Sequence, residues 1–140
     1  MSTVKSETAF GKMSELKLEC FMHNRFQVKP TKNRYDHFDY QSDTMLIELK
    51  TRRCFKDSYP DFMMNSKKIE FAYCSLKEIW FCFQFTDGLY GWKYDRNLNL
   101  RSDINGRTDR GMDERAHMYY IPSNLLIRLD AVDPLVVEAV

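Results

Sequence analysis

Residues 78–85 read EIWFCFQF and are followed by TDG and then by LYGWKYD. An apolar, aromatic-rich run of strand length, a turn signal and a returning run predict a β-hairpin. Aromatic residues are 14% of the chain and concentrate in residues 71–94, around this hairpin. A chain of 140 residues suits one domain with a modest core, so residues 1–140 are read as a single domain. Hydrophobic residues at 44% and charged residues at 29% make an ordinary globular mix rather than a disordered one.

The other elements follow from periodicity. Residues 6–24 read as a helix capped by Ser6, with Phe10, Met13, Leu16, Cys20 and Phe21 at three- and four-residue spacing. Residues 26–29 read as a short strand, and 35–50 as a second hairpin turning at QSDT. A second helix is expected over 62–76, a long surface loop over 95–115, a strand at HMYYIP and a last short helix over NLLIRL behind Ser123. This order, helix, strand, hairpin, helix, hairpin, strand, predicts an α/β domain: a mixed sheet with helices packed on it.

Charge and cysteine usage narrow the function classes. A net charge of +1 gives no strongly basic bulk field, so contact with nucleic acid would need local clusters of Lys and Arg. No apolar run is long enough to span a bilayer, and MSTVKSETAF lacks the apolar core of a signal peptide. Cys20, Cys54, Cys74 and Cys82 form no CxxC pair; three sit in apolar or aromatic company, which favours buried, reduced thiols over a zinc site. The chain thus reads as intracellular, cytoplasmic or nuclear, and not secreted.

The stretch Thr44–Arg53, TMLIELKTRR, holds the chemistry. It begins like a buried strand, yet Glu48 and Lys50 interrupt it. With a four-residue turn at 41–44, Tyr40 lies opposite Met45, Asp39 opposite Leu46 and His37 opposite Glu48. Side-chain alternation then puts Phe38, Tyr40, Met45, Ile47 and Leu49 on one face, and His37, Asp39, Leu46, Glu48 and Lys50 on the other. Asp39 and Glu48 become near-diagonal neighbours. Two carboxylates so close repel each other and require a shared proton or a bound cation. Mg²⁺ suits one or two carboxylates plus water and phosphate oxygens, and a nearby lysine can hold a water or stabilise charge on a phosphate. The plainer alternative is a solvated hairpin face with a Glu–Lys pair.

An acidic residue in one strand, ExK in the next strand of a hairpin and then a helix resemble the PD-(D/E)xK nuclease superfamily. Here the pattern is FDYQSDTMLIELKTR, and GKMSE at 11–15 resembles the GxxxE of its Holliday-junction-resolvase branch. The resemblance covers roughly residues 6–85. It implies a restriction-endonuclease-like core and metal-dependent hydrolysis of DNA. Asp39, Glu48 and Glu15 would hold Mg²⁺ or Mn²⁺, and Lys50 would position the attacking water. Alternation favours Asp39 as the first carboxylate; the family's usual spacing favours Asp36. Arg52, Arg53, Lys67, Lys68, Arg107 and Arg110 are candidate contacts to the DNA backbone. Tyr90, Trp92 and Tyr94 share one strand face, so packing is the expectation there rather than stacking on bases. DNA is the implied partner, with a homodimer as one way to cut two symmetric strands. The alternative is a catalytically inactive nuclease fold that binds nucleic acid or a partner protein.

Overall fold

A computed structural model describes residues 15–32, 38–105 and 116–130. Helix α1 (Glu15–Phe26) buries Leu18, Met22 and Phe26, one stripe at four-residue spacing. It stops where Gln27 adopts a left-handed φ of 57° and donates its amide to His23 O at 2.8 Å. Phe26 therefore ends the helix, and the short strand expected over 26–29 is instead β1 (Lys29–Pro30). The predicted helical residues 6–14 lie outside the described residues.

Strands β2 (Tyr40–Gln41) and β3 (Met45–Thr51) follow β1 as an antiparallel meander. β4 (Asp61–Asn65) then leads into helix α2 (Ser66–Cys74), and the chain re-enters the sheet as β5 (Glu78–Phe85), parallel to β3. Parallel neighbours need such a crossover. β6 (Gly88–Lys93) returns antiparallel to β5, and β9 (Ile127–Arg128) completes a six-stranded sheet of order β1-β2-β3-β5-β6-β9. The mixed sheet with flanking helices is the restriction-endonuclease-like core that the resemblance implies.

Three expectations are corrected here. The helix expected over 62–76 begins only at Ser66, because Phe62 and Met64 alternate inward as β4 and pair with β8 (Ala116–Pro122). Asn65 then caps α2, its side chain accepting from the Lys67 amide at 2.8 Å. The loop expected over 95–115 contains β7 (Ser102–Asn105), which joins β4 and β8 in a second, three-stranded sheet. The last helix over NLLIRL is one 3₁₀ turn (Ser123–Leu125) followed by β9, which pairs Arg128 with Tyr90.

Both faces of the central sheet are covered. On one, Tyr40, Ile47, Trp80, Cys82 and Leu89 pack against the α1 stripe. On the other, Leu46, Ile79, Phe81, Phe83, Phe85 and Trp92 pack against Ile69 and Ala72 of α2 and against Phe62, Met64 and Ile121 of the second sheet. Trp92 is buried, with Tyr90 and Tyr94 packed against the same cluster, so this strand face is core. All four cysteines are free, but only Cys82 is buried. Cys20 and Cys74 are exposed on the outer sides of α1 and α2, contrary to the expectation.

Candidate active site

The β2–β3 register places the carboxylates closer than sequence reasoning did. Tyr40 pairs with Ile47 and Gln41 with Leu46, two residues further along than expected. A two-residue shift keeps every β3 side chain on its face, so Leu46, Glu48 and Lys50 still point to the α2 side. The Asp39 amide also donates to Ile47 O, at 2.9 Å, so two successive residues face one. That is the count of a β-bulge. Its effect is to turn Phe38 and Asp39 to the same side. Phe38 therefore packs under α2 with Phe81 rather than beside Tyr40 as expected.

Asp39 stands across from Glu48 and accepts the Leu49 amide on Oδ2 at 2.8 Å. That bond fixes its carboxylate just ahead of β2. The two carboxyl groups are within hydrogen-bonding reach, an approach that a shared proton or a bound cation would relieve. Glu48 is 4% exposed. Burial, and then the charge of Asp39, push its carboxyl above the ordinary range, while Lys50 and Lys68 pull it back. Lys50 Nζ lies 3.3 Å from Glu48 Oε2, and Lys68 Nζ lies 3.5 Å from Oε1. Each oxygen of one buried carboxylate thus faces its own ammonium. The Lys68 ammonium also sits 5.1 Å from the centre of the Phe38 ring.

Lys68 at the carboxylate is what sequence reasoning missed, having counted it only as a backbone contact. The available signal was position. A lysine in the first turn of a helix opposes the helix dipole, and α2 has Lys67 and Lys68 there with no acidic residue. Lys67 is exposed. Arg52 and Arg53 follow β3 directly, half-buried and exposed. Glu15 is exposed at the start of α1. Its charge bears on the hydroxyl of Tyr40, which burial together with Glu19, Asp39 and Glu15 pushes up to about 12. Asp36, His37, Arg107 and Arg110 lie outside the described residues. Among the described residues no group of three or more His, Cys, Asp or Glu stands together as a metal cluster.

A parallel β3–β5 pair bridged by a helix, with ExK on β3 and an aspartate beside it, is the arrangement of the PD-(D/E)xK nuclease class. A family model described as "Phage putative PDDEXK endonuclease" matches residues 2–129, and the chain belongs to that family. No curated protein and no solved structure gives a significant match. Among the described residues, no helix is long and apolar enough to cross a membrane.

Proposed function

We propose that the domain hydrolyses phosphodiester bonds in DNA, with Asp39 and Glu48 holding Mg²⁺ or Mn²⁺. The observation that carries this reading is Glu48 itself: a carboxyl pushed up by burial and then by a second carboxyl beside it across a β-bulge. A pair of all-oxygen, negatively charged donors fits a hard divalent cation that takes its other ligands from water and phosphate. Such a cation, when bound, neutralises phosphate charge and makes a bound water more acidic. Lys50, partly exposed beside Glu48, donates to the oxygen of the attacking water and fixes its approach. The water oxygen bonds to phosphorus as the water gives up a proton to solvent, one bridging P–O bond breaks, and the leaving oxygen takes a proton from solvent. Lys68 balances the charge on Glu48 from the other side. Glu15 tunes the site from α1. Arg52, Arg53, Lys67, Arg107 and Arg110 contact the DNA backbone, and a homodimer supplies the second cut where two strands are severed.

The test is cleavage of labelled linear, circular and four-way-junction DNA with Mg²⁺ or Mn²⁺ and with chelator, comparing wild type with Glu48→Ala. Cutting that needs the metal and disappears in the variant supports the reading. Equal cutting by both proteins sinks it.

One observation favours a second reading. Both oxygens of Glu48 already face lysines, as they would in an inactive nuclease fold that only binds. That module binds DNA with an affinity that falls with salt, and it cuts nothing in any metal.

A further inference from the structure

We infer that the groove beside Glu48 receives one unpaired nucleobase, so that the preferred substrate carries a single-stranded or splayed nucleotide next to the bond that is cut. This rests on the nuclease reading of the same site. The groove lies between α2 and the β2–β3 hairpin and has a volume of about 460 Å³. Phe38, Leu46, Phe71 and Leu76 wall it, and Lys77 stands at its far end. Asp39, Glu48, Lys50 and Lys68 do not line it, but the carboxylate site is close by. Leu46 is two residues before Glu48 on the same strand face, roughly 6–7 Å away. Phe38 belongs to both places, since its ring walls the groove and lies under the Lys68 ammonium.

The arrangement matches the chemistry of one nucleotide. An anionic phosphate at a cation held by Asp39 and Glu48 has its base a sugar's length away, where Phe71 and Leu76 stand. Phe71 remains 37% exposed and packs at 5.4 Å, ring to ring, on Phe38, which is itself buried, so Phe71 is the ring a base can meet. Leu76 is 101% exposed at the rim, more than a folded core requires of a leucine. At the far end Lys77 donates to Ser42 O at 3.0 Å, which holds a second cation at the groove for the neighbouring phosphate. With a divalent cation at Asp39 and Glu48, positive charge stands at both ends, and a lining of Phe71, Leu76, Thr31, Gln41 and Ser75 between them suits a strand of phosphates with a base turned inward. A paired base offers only its edge, so it must leave the stack before its face can meet these walls.

The test measures binding in the Glu48→Gln protein, which removes one carboxylate charge and leaves the groove intact. Fluorescence anisotropy compares an oligothymidylate, a flapped duplex and a blunt duplex at low salt. The single strand and the flap are expected to bind more tightly than the blunt duplex. Phe71→Ala and Leu76→Ala should lower that ratio about 5- to 100-fold, the range for losing stacking on one base. Ile104→Ser removes an exposed apolar side chain on β7, elsewhere on the surface, and should keep the ratio. Equal affinity for the three DNAs, no binding to any, or an equal loss on all three in the groove variants overturns the inference. Failure of the nuclease reading looks different. Wild type that cuts without any preference for unpaired DNA refutes the groove alone. A groove-dependent preference without cutting in Mg²⁺ refutes catalysis alone.

Discussion

β3 and β5 are parallel neighbours, matched residue for residue from Met45 and Glu78 to Thr51 and Gln84. They use the same sheet differently. β5 is buried without interruption from Ile79 to Phe85, with Phe81, Phe83 and Phe85 filling one side and Trp80 and Cys82 the other. β3 is buried only from Leu46 to Glu48, and the last of these is a carboxylate. On the shared face Glu48 sits beside Phe81, and Lys50 beside Phe83. The contrast separates two tasks. β5 supplies the apolar burial that holds the sheet, and β3 gives up part of that burial to keep charges in a fixed, half-dry place.

The largest effect should come from β5. Phe81→Ala removes a fully buried ring between α2 and the sheet and is expected to cost about 3–5 kcal/mol, read from urea unfolding. A cost under about 1 kcal/mol would mean that β5 does not carry the fold, and the contrast would fail. Next comes the cation. If Asp39 and Glu48 hold Mg²⁺, a concentration about one hundred times the Kd stabilises the native state by about 2.7 kcal/mol. Thermal unfolding with and without Mg²⁺ checks this, and Asp39→Asn or Glu48→Gln should remove the shift. The same shift in the variants would place the ion elsewhere.

Glu48→Gln without metal should move stability the other way from Phe81→Ala. Burial and Asp39 both disfavour the Glu48 carboxylate, so a neutral amide of the same shape relieves a cost. A rise in Tm of roughly 2–5 °C at neutral pH is expected for a domain of this size. A fall would show that the pairs with Lys50 and Lys68 outweigh burial, and β3 would then be a structural strand like β5.

How much of this was legible follows from how local each signal is. The β5–β6 hairpin was readable because a two-residue turn at Thr86 and Asp87 joins adjacent runs. The faces of β3 were readable because alternation needs no partner and survives a two-residue slip. The bulge at Asp39 was not, since it depends on which amide Ile47 O accepts. β4 was hidden inside an apparent helix because its partner, β8, lies far along the chain. The link from Lys68 to Glu48 joins a helix to a strand across the crossover, and no spacing rule connects them.

The finest test uses pH. Glu48 has a folded pKa above its ordinary value of 4.5. Between the two values the folded protein holds more protons than the unfolded chain, so stability falls as pH rises through that window and then levels off. The Glu48→Gln protein lacks this group, and its stability advantage over wild type should grow across the same window. Activity runs in the opposite sense. A protonated Glu48 is a poor cation ligand, so cutting should fail on the acid side at a pH above the usual carboxylate range. Lys68 lowers the Glu48 pKa, and the slightly shorter Lys50 contact does so too. Lys68→Met removes one of these charges while keeping much of the stem over Phe38. It should move the acid limb of the pH–rate profile further toward neutral pH with a smaller change at the plateau. If the limb stays put while the plateau collapses, Lys68 contacts the reacting phosphate instead of setting the charge on Glu48. β3 and α2 would then share the chemistry, and the division between a working strand and its supporting neighbour would need redrawing.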